Sequence, residues 1–158
     1  MPLTSINIYT LKLVRVTSRF HKLEKCRLTC PLACYKTIQA ILNLQREPVE
    51  KFGIITLNAK NKILGLHVIA VGSLDTVIVE PREVFKAALL NNARSIIAFH
   101  NHPSGDPTPS PEDIRITNRL KRSGEILGIN LIDHIITGEK GYVSMKELGR
   151  VRRGREAI

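Results

Sequence analysis

The sequence lacks tryptophan, and aromatic residues make up only 4% of its 158 residues. A core of this composition is expected to be mainly aliphatic. No run of about 18 apolar residues is present, so the sequence predicts no transmembrane helix. The N-terminus has no clean apolar centre with a cleavage site and does not indicate a signal peptide. These absences predict a cytoplasmic protein with no membrane partner.

Cysteine is also scarce, with Cys26, Cys30 and Cys34 as the only three. Their number is odd, and their spacing lacks the short pairs of a zinc ribbon or knuckle. Pro31 would interrupt a helix that put all three on one face. A metal site that adds His21 is one interpretation, and free thiols in a reducing compartment are the favoured one.

Acidic residues are under-represented, because 24 Lys and Arg stand against 14 Asp and Glu, for a formal net charge of +10. The excess lies mainly at the ends: residues 1–50 have eight basic against three acidic residues, and residues 151–158 have three against one. A basic surface attracts polyanions without specifying one. Nucleic-acid contact through the basic termini is one hypothesis, and solvated basic ends are the equally weighted alternative.

The hydrophobic pattern predicts an α/β fold, with a mixed sheet and helices on its faces. The length predicts one domain over residues 1–150, with residues 1–50 as its basic N-terminal strand and helix and residues 151–158 as a basic tail. The predicted strands are Ile6–Val16, Phe52–Leu57, Ile63–Val71, Ser95–His100, Ile129–Thr137 and Tyr142–Ser144, and the predicted helices are Pro31–Asn43, Pro81–Asn92 and Ser110–Leu127.

Some details of this pattern are less regular. Residues 44–50 are expected to form a loop, residues 77–79 a short extended piece, and a brief last helix is expected to end at Gly149. Apolar spacing predicts a core-facing stripe on the first helix, formed by Leu32, Tyr35, Ile38, Ile41 and Leu42. By the same spacing, the core-facing residues of the third helix are Ile116, Leu120 and Leu127.

The chemistry of the chain is concentrated in a Pro- and Gly-rich stretch. His100 ends a predicted strand, His102 lies two residues further on, and Asp113 lies in the first turn of the next helix. Alternate residues of an extended chain face one side, so both imidazoles can point to one place. Two His and one Asp leave a fourth position for water, which is typical of catalytic zinc. Zinc lowers the pKa of that water to roughly 7.

The same stretch also has a purely structural interpretation. Ser110-x-x-Asp113 fits a capping box, with Pro111 as the first helical residue. His100 and His102 would then be hydrogen-bonded structural histidines. If a metal is bound, Ser110 is expected to donate a hydrogen bond to the oxyanion of a tetrahedral intermediate.

The spacing of these residues resembles the JAMM (MPN+/JAB) metalloprotease motif, in which His-x-His is followed by seven residues, Ser, two residues and Asp. The amino-acid sequence from His100 to Ser110 resembles that of the RadC subgroup of the superfamily. Further similar segments are Gly72-Ser73-Leu74, Pro81-Arg82-Glu83-Val84-Phe85 and Leu131-Ile132-Asp133-His134. The resemblance covers about residues 6–149, and no helix-hairpin-helix region of the longer RadC proteins is seen.

The resemblance implies a cytidine-deaminase-like (JAB/MPN) fold. It implies Zn²⁺ bound by His100, His102 and Asp113, with Ser110 as the oxyanion stabiliser. It also implies hydrolysis of an amide or isopeptide bond, in a protein or peptide substrate, by the zinc-bound water. The name of the family carries an association with DNA repair.

The general base of this chemistry is less clear from the sequence. JAMM enzymes use a glutamate on the strand before the Gly-Ser break, and alignment on Gly72 and Ser73 puts His67 at that place. A neutral imidazole can accept a proton. His67 is equally a candidate fourth zinc ligand or a strand residue without a role. His134 is a candidate contact behind the ligands or at the substrate, or a structural residue.

Two functions therefore follow from the sequence. One is a zinc-dependent metallopeptidase. The other is a non-catalytic zinc-binding module in DNA metabolism or protein interaction, because the family glutamate is not found at position 67. A zinc nucleobase deaminase is excluded, since its His-x-Glu and Pro-Cys-x-x-Cys ligands are missing.

Overall fold

The computed structural model describes residues 30–72 and 78–151, together with the single residues Val14 and Leu28. In chain order the elements are α1 (Pro31–Leu42), a short 3₁₀ helix (Leu44–Arg46), β1 (Lys51–Leu57), β2 (Ile63–Val71), α2 (Pro81–Leu90), β3 (Ser95–Asn101), α3 (Pro111–Leu127), β4 (Asn130–Gly138) and β5 (Gly141–Ser144). The predicted α/β class is confirmed. The predicted strand Ile6–Val16 lies outside the described residues except for Val14, as does nearly all of the predicted basic tail.

One five-stranded sheet organises the described residues, in the order β2-β1-β3-β4-β5. β3 and β4 are parallel, and the other three pairs are antiparallel. All seven residues of β3 are buried, as a short, wholly apolar run predicts for a strand covered on both faces. The C-terminal end of β3 is therefore held between β1 and β4, and that end carries His100.

Helices cover both faces of this sheet and enclose two separate cores. The core under α1 contains Cys34 and Ile38 with Ile55, Ile97 and Phe99 of the sheet. The core under α2 and α3 is larger. Its members include Val84, Phe85 and Ala88 of α2, Leu120 of α3, and Phe52, Ile54, Ile96, Ala98 and Ile136 of the sheet.

Helix α1 turns most of its predicted face to the sheet, since Ile38 is buried and Tyr35 and Leu42 pack against the core. Leu32 was also predicted to face inward but is 45% exposed, whereas Cys34 is buried. Pro31 begins the helix and Asn43, at φ 51°, ends it in the left-handed conformation. Burial raises the pKa of the Cys34 thiol to about 12, so this cysteine is a small core residue rather than a reactive thiolate. Cys30 is exposed, and both described cysteines are free.

The predicted orientation of helix α3 is confirmed in its middle, where Leu120 is buried and Ile116 packs against the core, but not at its end, where Leu127 is 45% exposed. The other buried residues of the helix are Asp113, Thr117 and Gly124. The prediction assumed that apolar residues mark the inner face. The first two turns instead point polar side chains inward, because this end of the helix lies over the histidines of the sheet.

Three local predictions need correction. Residues 44–46 form a 3₁₀ helix within the segment expected to be a loop. Residues 145–149 form turns rather than a helix, and Gly149 ends them at φ 72°. Of the expected extended piece, Ile78 and Val79 have no regular secondary structure, and Val77 lies outside the described residues. No helix within the described ranges is long and apolar enough to cross a membrane.

Gly124 provides a test of the packing between α3 and β4. Replacing a helical glycine by alanine ordinarily stabilises a protein by about 1 kcal/mol. Here an added Cβ would lie 2.2 Å from the Ile129 carbonyl oxygen and 3.2 Å from Phe85 Cζ. We therefore expect Gly124→Ala to lower the free energy of unfolding by about 1–3 kcal/mol in urea denaturation. The neighbouring Ser123→Ala serves as the control and should change stability little; equal stabilisation by both variants would contradict this packing.

Candidate metal centre

Three predicted ligands meet where β3 ends and α3 begins. His100 Nε2 lies 3.1 Å from Asp113 Oδ1, and His102 Nε2 lies 3.3 Å from Asp113 Oδ2. The two imidazole Nε2 atoms are 2.9 Å apart. One atom from each of the three residues lies within 4.8 Å of the others, which makes this cluster a candidate metal site. His100 is almost fully buried, whereas His102 is half-buried and reaches towards the surface.

The capping box predicted at the start of α3 is present and also orients the site. The Asp113 backbone N–H donates to Ser110 Oγ at 3.1 Å, and the Ser110 backbone N–H donates to Asp113 Oδ2 at 2.7 Å. The structural and functional interpretations of this pattern are therefore compatible. The cap uses the Ser110 oxygen as an acceptor and leaves its hydroxyl proton available to a further acceptor.

His102 is fixed by the loop that follows it. Its backbone N–H donates to the Thr137 carbonyl at 2.8 Å. Its Nδ1 lies 2.8 Å from the Asp106 carbonyl oxygen, which can only accept, so Nδ1 carries the proton. The neutral ring then presents an unprotonated Nε2 to the cluster, as a metal ligand requires.

The loop that follows His102 approaches the turn between β4 and β5 very closely. The two residues that meet there, Gly105 and Gly138, are both glycines. A Cβ added to Gly138 would lie 2.4 Å from the Gly105 carbonyl oxygen, closer than real Cβ contacts. Gly105 itself has φ 82°, which disfavours other residues. The backbone N–H of Lys140 donates to the same Gly105 carbonyl at 3.2 Å. This contact holds the loop, and with it His102, against the sheet.

The donor set of the cluster fits a zinc ion. Burial raises the pKa of the Asp113 carboxyl, but the close contacts with the imidazoles of His100 and His102 and the hydrogen bond from the Ser110 backbone N–H hold that pKa well below its usual range. The carboxylate and the His102 Nε2 lone pair are both acceptors, so a cation is required between them, either a proton or a metal. In the absence of metal a proton takes this role, since the bond to Asp113 raises the pKa of His102. Two imidazole nitrogens and one carboxylate oxygen are ligands that zinc accepts.

His67 does not join this cluster in the described structure. His67 lies on β2 and pairs with Ile54 of β1, whereas His100 lies on β3 and pairs with Phe52 on the other side of β1. The two histidines are therefore two strands apart and offset by two residues along the sheet. Strand geometry then separates the Cα atoms of His67 and His100 by roughly 12 Å. The His67 Nε2 lies 3.1 Å from Asn91 Nδ2, and Asn91 also bonds Thr56, still further from the cluster. The ring thus points away from the place where the family base is expected.

A carboxylate that the sequence reasoning missed, Glu50, stands beside the cluster instead. Phe52 pairs with His100 at the end of the antiparallel β1–β3 ladder. Glu50 lies two residues before Phe52, where the same register, continued past the last paired residue, would face His102. Glu50 is only 9% exposed. Burial and, after it, the negative charge of Asp113 raise the pKa of its carboxyl to about 7, against the opposing effect of His102. The influence of Asp113 and His102 indicates that the Glu50 carboxylate lies near the candidate ligands.

Asn101 fixes the backbone on both sides of Glu50. Its Oδ1 accepts from the Lys51 backbone N–H at 2.8 Å, and its Nδ2 donates to the Val49 carbonyl at 3.1 Å. The Glu50 carbonyl in turn accepts from the Gly72 N–H at 2.8 Å. Gly72, the first residue of the Gly-Ser break used to align the family glutamate, is thus adjacent to Glu50 across the sheet. Pairing of β1 with β3 is the signal that would have found Glu50, and it is not encoded locally.

His134 lies directly behind the cluster, on β4. Its Nε2 is 2.8 Å from His100 Nδ1, and its Nδ1 is 2.7 Å from Thr117 Oγ1. Thr117 Oγ1 donates to the Asp113 carbonyl at 2.6 Å. His134 and Thr117 are fully buried, so this network is shielded from solvent. Phe52 packs edge-on against the His134 ring at 5.4 Å between centroids.

A mixed sheet flanked by helices, with His-x-His at the end of a central strand and Ser-x-x-Asp at the start of the next helix, defines the class of JAB/MPN domains. Residues 28–150 match the RadC-like JAB domain family. The chain belongs to this family, as the resemblance of its motifs predicted.

Curated relatives agree with this assignment. A UPF0758 protein of Caldanaerobacter subterraneus subsp. tengcongensis is 52% identical over 114 residues, which are 69% of this chain and 49% of that protein. A UPF0758 protein of Methanosarcina acetivorans is 45% identical over 141 residues, or 89% of this chain and 61% of that protein. The chain thus spans about half to three fifths of the length of these two relatives. Their names specify no activity.

The raised pKa of Glu50 gives a stability prediction for the metal-free protein. The folded-state value of about 7 exceeds the ordinary 4.5, so folding is penalised once the unfolded chain ionises this group. The penalty is absent below pH 4.5, grows up to about pH 7 and is then constant. We expect Glu50→Gln to raise the free energy of unfolding at pH 8 by about 1–2 kcal/mol, discounted for residual solvation, with no gain at pH 4.

Chemical denaturation in the presence of a chelator measures this effect. The exposed Glu125→Gln is the matched control, since its ion pair with Lys121 at 3.9 Å is weak and lies on the surface. A gain for Glu50→Gln that is equal at pH 4 and pH 8 would show that Glu50 is not held in an unfavourable ionised state.

Proposed function

We propose that this chain is a zinc-dependent hydrolase that cleaves amide bonds, in peptide or isopeptide linkage, of a protein or peptide substrate. The observation that carries the proposal is the buried Glu50, which lies two residues before the Phe52 that pairs with His100. The charges of Asp113 and His102 both act on the pKa of its carboxyl, which indicates that it lies near the candidate ligands. A metal site without a base would favour a structural role. A carboxylate with a pKa near neutrality provides that base.

His100, His102 and Asp113 would hold the zinc, leaving a further coordination position. Bound zinc would supply a Lewis acid that polarises the substrate carbonyl and lowers the pKa of a water molecule. Glu50 accepts the proton of the attacking water and returns it to the leaving nitrogen. A base with a pKa close to the working pH is suited to both transfers.

Ser110 has the second role in this proposal. Its oxygen is fixed by the Asp113 N–H in the capping box, which keeps the hydroxyl beside the ligands. Its free proton donates to the carbonyl oxygen as negative charge develops there. Because the cap holds the oxygen before the substrate arrives, little reorganisation accompanies this hydrogen bond.

The alternative function, a non-catalytic zinc module, rested on the absence of a glutamate at position 67. Glu50 removes that reason, because it brings a carboxylate to the cluster from β1. The proposed nucleic-acid contact through the basic termini concerns segments that lie mostly outside the described residues. Nothing in the described structure favours it over a peptide substrate.

Zinc binding is the first test of the proposal. We expect one zinc per wild-type chain by mass spectrometry of the native protein, and loss of tight binding in His102→Ala. His67→Ala is the control and should keep its zinc, because its ring points towards Asn91. Equal zinc content in wild type and His102→Ala would exclude this ligand set, and loss in His67→Ala would make His67 a ligand.

Hydrolysis is the second test, with fluorogenic peptide and ubiquitin-type isopeptide probes. We expect chelator-sensitive turnover that Glu50→Gln reduces by about 10²–10⁴-fold without loss of zinc, as removal of a general base does. His67→Gln should keep activity within a few fold. Full activity of zinc-loaded Glu50→Gln, or its loss in His67→Gln alone, would contradict the assignment of the base. If neither probe shows chelator-sensitive turnover, the alternative function as a non-catalytic zinc-binding module is favoured.

A further inference from the structure

We propose that His134 and Thr117 are positioning residues that lock the tautomer of His100, so that His100 presents an unprotonated Nε2 to the metal. The inference rests on the proposed metal site and not on the proposed hydrolysis. It is carried by a chain of hydrogen bonds in which each proton can be assigned. That chain begins in α3, crosses to β4 and ends on β3.

The first proton is that of the Thr117 hydroxyl. Thr117 Oγ1 lies 2.6 Å from the Asp113 carbonyl oxygen and 2.7 Å from His134 Nδ1. The carbonyl oxygen has no proton, so a contact of 2.6 Å is favourable only if Thr117 donates to it. This is the ordinary bond of a helical threonine to the carbonyl four residues earlier. Thr117 therefore has only lone pairs left for His134.

The second proton follows from the first. Since Thr117 Oγ1 can only accept from His134, the proton of the imidazole must lie on Nδ1. His134 is fully buried, and a second proton would leave a charged ring without a carboxylate in contact. Its Nε2 is therefore unprotonated and acts as an acceptor.

The third proton completes the assignment. His134 Nε2 lies 2.8 Å from His100 Nδ1, and only His100 can donate in this pair. His100 Nδ1 thus carries a proton, and its Nε2 is free to bind a cation beside His102 Nε2 and the Asp113 carboxylate. His102 reaches the same state through the Asp106 carbonyl. The two ligand histidines are oriented by different means, one by the loop and the other by a buried relay.

The relay also couples the ligands to each other. The Asp113 carbonyl at one end of the chain belongs to the residue whose carboxylate faces His100 at the other end. A shift of the first turn of α3 would thus disturb both contacts. A histidine behind a zinc ligand more often meets a carboxylate, carbonyl or water. Here a neutral histidine takes that place, and its own direction is set by one threonine.

Thr117→Val tests the relay because it keeps the shape and removes the acceptor. His134 Nδ1–H would lose its acceptor, so the ring would favour the tautomer with the proton on Nε2. His100 Nδ1 would then have to accept this proton, and the proton of His100 would move to Nε2, the atom that faces the metal. We expect the zinc affinity of the folded variant, measured by competition with a chromophoric chelator, to fall about 10–100-fold. Thr117→Ser keeps the hydroxyl and should restore the affinity to within about threefold.

A matched control separates positioning from packing. Thr137 is also fully buried. Its Oγ1 lies 3.4 Å from the backbone carbonyl oxygen of His100, so its side chain contacts the backbone of His100 rather than a histidine ring. Thr137→Val should therefore leave the zinc affinity nearly unchanged. A structural role alone would lower the unfolding temperature of Thr117→Val and leave its zinc affinity equal to that of wild type, and this result would overturn the inference.

The protons themselves are observable by long-range ¹H–¹⁵N NMR of the histidine side chains. We expect the Nδ1–H tautomer for His134 with and without zinc and for His100 in the zinc-loaded protein, and loss of the His134 Nδ1–H tautomer in Thr117→Val. A proton on His134 Nε2 in the wild type would overturn the inference. If wild type binds no zinc, the proposed function fails and the tautomers still decide the relay. If zinc binds but no probe is cleaved, hydrolysis fails and the affinities still decide it.

Discussion

The antiparallel pairing of β1 with β3 is the constraint on which the candidate site depends. It sets Phe52 opposite His100 and thereby brings Glu50, two residues earlier, to the same end of the sheet. The proposed base and two candidate ligands thus come from segments about fifty residues apart in sequence. The amide of Asn101 reinforces the pairing at its end by bonding the backbone on both sides of Glu50. A slip of one residue would turn Glu50 to the opposite face of the sheet. The chemistry is thus a consequence of register.

The site also illustrates how polar groups are tolerated inside an aliphatic core. His100, Asp113, Thr117 and His134 are all buried in a protein whose core is otherwise mainly aliphatic. Each finds hydrogen-bond partners among the others or in the backbone, which offsets the cost of burial. Glu50 is also buried, and burial raises the pKa of its carboxyl to about 7 together with the charge of Asp113. A buried carboxylate with a raised pKa beside a candidate metal site is more consistent with function than with stability.

Much of this arrangement could be predicted from sequence, because it is local. The spacing of His100, His102, Ser110 and Asp113 is contained in fourteen residues, and a strand followed by a capped helix brings them together. The α/β class followed from hydrophobic periodicity in the same way. Glu50 could not be identified from local spacing in this way, because its position relative to the ligands depends on which strands pair and in which register. His67 was favoured only because it precedes the Gly-Ser break along the chain, whereas Glu50 reaches Gly72 across the sheet.

The first turns of the inner face of α3 were missed for a related reason. Apolar spacing selected Leu120, which is buried, and Leu127, which is not. It could not select Asp113 and Thr117, which are buried because the sheet below them offers histidines rather than apolar side chains.

The central claim, that Glu50 and three ligands form one zinc site, is tested most directly by a crystal structure of the zinc-loaded protein. The account predicts zinc at about 2.0–2.2 Å from Nε2 of His100, Nε2 of His102 and the Asp113 carboxylate, with a water between zinc and Glu50. Zinc ligated by His67 or by a cysteine, or a Glu50 carboxylate turned away from the metal, would contradict it.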